Sequence, residues 1–504
     1  MPSRLAVIAI FVACFASAPL ATASQQGFLQ ALEGLEQDAQ RLDVSSAEIF
    51  MRANALAGVE APHVTDQPST LILPDSQKRL SRSPVDILLR RISVPASQGF
   101  VEASLQAQPD RRAAAIVIES GTFNLEEVAQ ILRTRGFGDY LEKAPNGYVA
   151  HRPIFIWTGG ALKVGPGERL SFDASQGAFV INTGALEIEG ARLDAVGVNR
   201  SGFRPFLLTT FAGATRINRT EIVGLGFSGL AEASGIAFTH QQFLSAATNS
   251  LTDNVFEDGV GVTVSGARGF EISGNRFVDG PQIVMMIKAA REVRIAGNIV
   301  SQRSGLHAIK VSNGSSKVDI SHNIIVGSPG NGVFVDGGVT AIRVSDNLIG
   351  RSRLTGISVD GAACVAIENN AVIANRSRGI AMRSVLHAKV QGNDLIANVS
   401  AGLTISGQFE HSSVRVARNN FVNNRFGLSG SIVGEVNLVA NDFTQQLPRI
   451  ADGEFAANVG GLLEFAASQQ PGEFRIKTNR SSGSDDFSQF SAVDLSNCVA
   501  KKGS

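Results

Sequence analysis

Val318-Asp319-Ile320-Ser321-His322-Asn323 is one statement of a phrase that recurs through the second half of the chain: two alternating apolar residues, two free positions and an asparagine. It returns at residues 270–275, 293–298 and 342–347, continues through Asn370, Asn393, Asn419 and Asn441, and has Asn254 at its head. The steps between successive asparagines are 21, 23, 25, 24, 23, 23, 26 and 22 residues. A nearly fixed period of this size marks a solenoid, in which each repeat covers its neighbour, rather than a closed domain. A second phrase, Gly followed by an alternating strand, sits inside each period: Gly332-Val333-Phe334-Val335, Gly356-Ile357-Ser358-Val359, Gly379-Ile380-Ala381-Met382 and Gly402-Leu403-Thr404-Ile405.

Period-2 runs of Val, Ile, Leu and Phe bounded by Gly, Asn and Ser predict short strands, and two or three of them per repeat leave no room for a helix. Leucine-rich repeats share the period but carry Leu at fixed positions and a helical turn per unit, and neither is present. Each repeat is therefore expected to be one coil of a parallel β-helix. The asparagine is expected to take the left-handed backbone of a tight corner and to bond its amide to those of the coils above and below.

The chain has 504 residues, with Lys+Arg and Asp+Glu equal at 45, so net charge points to no partner. Arg4, an apolar run from Leu5 to Ala18 and Ala21-Thr22-Ala23 read as a secretory signal over residues 1–23, too short to span a bilayer. Phe11 stands where a lipobox prefers Leu, so the Ala-x-Ala site is favoured over lipidation of Cys14. The mature chain then holds Cys364 and Cys498; Cys364 alternates with Val365 as a small core residue, and a Cys364–Cys498 disulfide is the alternative.

In chain order, residues 24–112 read as a helical region and linker. Phe28, Leu29, Leu32, Leu35 and Leu42 lie on helical spacing, and a Pro/Ser/Gln-bearing arm follows over 61–110. Residues 113–153 read as an N-terminal cap: a strand at Ala115-Ile116-Val117-Ile118, then Asn124 with Glu127 three residues on as the N-cap of a helix that covers the open end of the solenoid. The β-helix is expected over 154–445, and a C-terminal cap with a polar, disordered tail over 446–504.

Ala178-Phe179-Val180-Ile181-Asn182-Thr183-Gly184-Ala185-Leu186, Phe203-Arg204-Pro205-Phe206-Leu207, Leu225-Gly226-Phe227, Gly235-Ile236, residues 307–312 and residues 374–380 resemble, in order, the periplasmic mannuronan C5-epimerases of alginate-producing bacteria. The resemblance covers roughly residues 113–445 and implies a right-handed coil, a periplasmic location and an acidic polysaccharide ligand. It also implies an Asp-Pro-His-Asp quartet on one coil and an Arg on the next. These fall on Met285-Met286-Ile287-Lys288 and on Asn313, so the defining chemistry is not matched.

Epimerisation at C5 needs a group that neutralises the uronate carboxylate, a base and an acid. Positions that keep their polarity are His307, Asp336, Asn375, Arg376 and Arg383. His307, Lys310 and Asp336 are the candidate catalytic set, with Asp360 an alternative to Asp336; for His307 the competing reading is a residue that caps a turn. Lys288, Arg353, Asp360, Arg376 and Arg383 are candidate polysaccharide-binding residues. From Lys288 to Arg425 there are 16 Lys+Arg against 8 Asp+Glu, and Arg353 and Arg376 each stand three residues before a repeat Gly, so they stack on adjacent coils. Stacked cations repel unless an anion lies across them; the competing reading is a solubilising face.

One Trp and two Tyr leave few platforms for neutral sugars. The chain carries no calcium-binding nonapeptide repeat, no His/Cys cluster and no phosphate loop, so no metal or cofactor is expected, and an exported neutral chain is a poor match for nucleic acid. The expected molecule is a monomer without a transmembrane segment. It handles an exopolysaccharide during export, with proteins of a synthesis or export complex as further partners. The alternatives are an active epimerase or lyase on another uronan, and a structural or adhesive β-helix.

Overall fold

The computed structural model describes residues 25–61, 71–92, 98–110, 113–199, 201–226, 230–240, 249–446, 449–461 and 474–477. The expected signal segment, Cys14, Cys498 and the polar tail lie outside these residues.

The chain winds into a right-handed parallel β-solenoid of about 12 turns. Each coil lays down three strands. In one coil these are His307–Ser312 on a first face, Ser316–Ser321 on a second and Ile324–Val326 on a third, and each pairs in parallel with its counterparts on neighbouring coils. Inward-facing Val, Ile, Leu and Phe from the three faces form one continuous core. The long strand Ala114–Asn124 already pairs with Ile154–Ile156 on the first face and Gly160–Val164 on the second, so coiling starts ahead of residue 154.

The asparagine ladder stands as expected between the second and third faces. The Nδ2 of Asn254, Asn275, Asn298, Asn323, Asn347, Asn370, Asn393 and Asn419 each donates to Oδ1 of the next ladder residue at 2.9–3.0 Å. That Oδ1 also accepts the preceding asparagine's backbone N–H. The backbone expectation is corrected: the left-handed residue is the one before each asparagine (Asp253, Gly274, Gly297, His322, Asp346, Asn369, Gly392, Arg418, Ala440), and the ladder residues themselves do not adopt positive φ. The asparagine is selected for its amide, and its predecessor turns the corner. A second ladder, not anticipated, marks the corner between the third and first faces: Ser352, Asn375, Asn398, Asn424 and Gln446, each of the first four bonding the side-chain oxygen of the next at 2.9–3.2 Å. Asn375, read as a site position, is buried in that ladder.

Among the described residues, five α-helices dress the solenoid. Helix α5 (Leu125–Thr134) covers the N-terminal end with Leu125, Val128, Ala129 and Leu132 in the core, and Asn124 and Glu127 form the expected capping box. Helices α1 (Gln25–Ala39) and α2 (Ser46–Ala57) lie on the outside of the third face, where Leu32, Leu35, Ile49 and Phe50 cover Ile324, Val326, Leu348 and Ile373. Arg276 is buried beneath them and donates to the carbonyls of Asp38 (2.9 Å), Ala39 (3.2 Å), Arg41 and Val44, which meets the unbonded end of α1 with a cation. Leu42, expected on the apolar stripe, lies past the end of α1 and is 52% exposed.

The stretch expected as a loosely packed arm contains structure. Arg79–Pro84 pairs antiparallel with Ala114–Asn124, and helices α3 (Val85–Ile92) and α4 (Gln98–Gln106) pack on the first face of the early coils. Val85, Leu88, Leu89 and Ile92 supply the i, i+3, i+4, i+7 stripe that specifies this. At the C-terminal end, Phe474–Lys477 pairs antiparallel with Glu435–Val439, and Phe455 and Ile476 enter the core. Cys364 is disulfide-bonded, which decides against the reading of a free core thiol; the chain's other cysteines, Cys14 and Cys498, lie outside the described residues.

Candidate functional site

Among the described residues, no helix covers the first face from the coil of Met286 onward. Its outward column runs Met286, Lys310, Phe334, Ser358, Ala381, Thr404, one residue per coil at about 4.8 Å spacing. Of the quartet expected to replace the epimerase motif, Met285 and Ile287 point into the core, and only Met286 and Lys288 reach the surface. Asn313 turns the corner after this face with φ 54° and is exposed.

The three candidate catalytic residues converge. Lys310 Nζ lies 3.0 Å from Asp336 Oδ2 and 5.2 Å from the centre of the Phe334 ring, and the His307 ring packs on the same phenyl at 4.7 Å. Phe334, which sits at the offset of Lys310 one coil on, was missed in the sequence; its place two residues after Gly332 in an outward slot was the available signal. The His307 pKa is pushed down by burial and then by the Lys310 ammonium, with Asp336 pulling the other way. His307 Nδ1 lies 3.3 Å from the Asn331 N–H and the ring also bonds the Leu306 carbonyl, so backbone groups hold the imidazole in place.

A second ion pair lies further along. Arg383 holds Asp360 through two bonds of 3.0 Å, Nε to Oδ1 and Nη2 to Oδ2. Lys310 and Arg383, expected as cations open to a ligand, are thus both engaged by carboxylates. Lys288, Arg353 and Arg376 are exposed and make no ion pair among the described residues. Arg353, Arg376 and Arg425 share one offset, each directly following a member of the second ladder, so they line the corner that borders the first face. Arg378, not singled out in the sequence, stands beside them, exposed and likewise without an ion pair among the described residues. The second face differs. There Lys163, Arg294, Arg343 and Lys389 each sit 2.7–3.0 Å from a glutamate.

Among the described residues, no group of three or more His, Cys, Asp or Glu side chains is placed to hold a metal, and no helix is long and apolar enough to cross a membrane.

Two family models match parts of the chain: "Right handed beta helix region" over residues 211–349, and "Periplasmic copper-binding protein (NosD)" over residues 308–453. A mannuronan C5-epimerase of Pseudomonas syringae pv. tomato is 25% identical over 266 residues, which is 49% of this chain and 48% of that protein. The chain thus matches about half the length of this curated relative. Among solved structures, a single-substitution variant of the periplasmic alginate epimerase AlgG superposes with TM-score 0.67 at 20% identity, covering 74% of this chain and 94% of that one. The unsubstituted AlgG gives 0.65 at 19%, covering 75% and 96%. At these identities the superpositions speak for the shared fold.

Proposed function

Taking the chain as a relative of the alginate-type mannuronan C5-epimerases, we propose that it is a periplasmic exopolysaccharide-handling protein that holds a uronate-containing polymer along the open stretch of its first face. The observation that carries this reading is the contrast in charge pairing. Lys163, Arg294, Arg343 and Lys389 on the second face are neutralised by neighbouring glutamates, whereas Arg353, Arg376 and Arg378 crowd one corner with no such partner among the described residues. Like charges on adjacent coils at about 4.8 Å repel, and a polymer bearing a carboxylate on each sugar relieves this through paired guanidinium–carboxylate bonds. The Lys310–Asp336 and Arg383–Asp360 pairs add donors and acceptors for sugar hydroxyls.

The rival reading is an active epimerase or lyase with a rebuilt site. The convergence of His307, Lys310 and Asp336 on Phe334 favours it. Against it, the His307 ring is held by backbone groups of Leu306 and Asn331, Asp336 is bound by Lys310, and the only outward residues of the quartet are a thioether and an ammonium. Polymannuronate retention on the immobilised protein tests the holding reading. Retention should fall steeply with added salt and fall at least tenfold in Arg353→Ala/Arg376→Ala, with Arg294→Ala as a control that keeps it. Retention indifferent to salt and to the double substitution would overturn the reading. Proton NMR of polymannuronate in deuterated water tests the rival: guluronate signals with deuterium at C5 would establish turnover.

A further inference from the structure

Building on the polymer-holding reading, we propose that the first-face groove is blind at its N-terminal end, so that the protein receives the end of a chain rather than straddling its middle. The outward column of the groove does not begin at Met286. It runs back, coil by coil, through Thr263, Ala237, Leu208, Ile181 and Phe155. Phe155, Ile181, Leu208 and Ala237 are apolar and sealed under helices α3 and α4, whose Val85, Leu88, Leu89, Ile92 and Phe100 are themselves buried against them, and Thr263 is buried with its hydroxyl 2.8 Å from that of Ser234.

The neighbouring outward column changes in the same direction. Trp157 packs beneath the helices, Thr183 and Thr210 are buried, Thr239 and Ser265 are half-buried, and Lys288 is exposed. The first column is therefore closed as far as Thr263, the coil just ahead of Met286, and the neighbouring column opens gradually over Thr239 and Ser265 before Lys288. On the far side, Ser358, Ala381 and Ser429 of the first column reach solvent. The helical cover is fixed in place: removing it would expose a continuous apolar surface from four coils and both helices, and the strand Arg79–Pro84 that leads into α3 is paired along the edge of Ala114–Asn124.

A polymer aligned with the columns thus has one way to extend, toward the C-terminal coils. Its leading residue would lie against Met286 and Lys288, one coil from His307 and Lys310, where the carboxylate of that sugar meets the Lys288 ammonium. Such a groove recognises a terminus and distinguishes a chain end from the identical sugars behind it.

The test is stoichiometry. Short and long polymannuronate fractions of known chain length are saturated with the full-length protein at low salt, and the protein bound per chain is measured by sedimentation velocity. One protein per chain at both lengths is the expected result. Protein per chain rising in proportion to length would overturn the blind groove while leaving polymer binding intact; salt-insensitive absence of binding to either fraction would overturn the holding reading itself, and this inference with it.

Discussion

Asn347 lies in the middle of the first ladder, and its replacement by alanine is the sharpest test of what holds the coils in register. Its Oδ1 accepts the Asn323 backbone N–H at 2.8 Å and Asn323 Nδ2 at 2.9 Å, while its own Nδ2 donates to Ile320 O, Ser345 O and Asn370 Oδ1, each at 2.9 Å. Asn347→Ala removes all of these from a site with no solvent access. The Asn323 amide nitrogen keeps its links to Ile295 O and Ser321 O, but the Asn323 backbone N–H loses its partner. An orphaned buried donor costs about 1–3 kcal/mol and each lost bond about 0.5–1.5 kcal/mol net; because several partners retain other bonds, the total should be about 3–5 kcal/mol. Asn441 is the internal comparison. It ends the ladder, is partly exposed, and bonds Asn419 N at 3.0 Å, Asn419 Nδ2 at 2.9 Å and Val416 O at 2.8 Å, so water can take over and Asn441→Ala should cost about 1 kcal/mol. A solenoid can unfold coil by coil, so urea titration followed by circular dichroism should be paired with hydrogen exchange of the peptide spanning 318–326. Equal losses for the two variants, or a loss under about 1 kcal/mol at Asn347, would refute the claim that buried amide stacking fixes the register.

The helical cover of the third face should depend on one cation. Arg276→Met removes the guanidinium from the carbonyls of Asp38, Ala39, Arg41 and Val44, of which Asp38 O and Arg41 O keep the backbone N–H groups of Arg41 (3.1 Å) and Val44 (3.4 Å), so limited proteolysis within residues 40–61 should speed up by an order of magnitude or more, at a cost of about 2–4 kcal/mol in that region, while the coils keep their own exchange protection. Acid should destabilise the fold through His240, whose pKa is lowered by burial even though its Nδ1–H is held by Phe211 O at 2.7 Å. A base whose folded pKa lies below its unfolded value of about 6.5 contributes stability that is complete above that value and is lost as pH falls toward and through the folded pKa. Urea midpoints measured from pH 7.5 down to 5 should therefore decline, and His240→Gln should flatten the decline.

The solenoid was legible because its determinants are local and periodic: the spacing of Asn275 to Asn441 and the alternation on either side need no long-range information. The left-handed corners were misassigned by one residue because Asn tolerates that backbone, while the true corner positions hold Asp, Gly, His, Asn, Arg and Ala with no common side chain. The second ladder leaves a weaker trace in the sequence. Asn375, Asn398, Asn424 and Gln446 each stand five residues after a first-ladder asparagine, but their coil-mates Ser328 and Ser352 break the pattern. The docking of α1 and α2 had a signal too: the runs Ile324-Ile325-Val326 and Ala371-Val372-Ile373 are apolar on both sides of the strand, as strands covered on both faces must be. At the candidate site, the residues His307, Lys310, Asp336, Asp360 and Arg383 could be named from the sequence, but their pairing could not. Whether Lys310 meets a ligand or Asp336 depends on the register between coils, which only the folded stack fixes.

Every amide-to-amide bond of the first ladder points the same way: each asparagine donates forward, to the coil that follows it in the chain. The side-chain dipoles therefore add head to tail into a polarised wire along the solenoid axis, with its electropositive end at Asn441 and its electronegative end at Asn254, and each bond strengthens the next. A solenoid completed only as far as a given coil accordingly ends in waiting donors, the last asparagine's backbone N–H and Nδ2, and the coil still to be laid down supplies the oxygen that both require. A partial stack therefore has two unlike edges, donors toward the C-terminal side and acceptor oxygens toward the N-terminal side, and a neighbouring coil that is out of register satisfies neither.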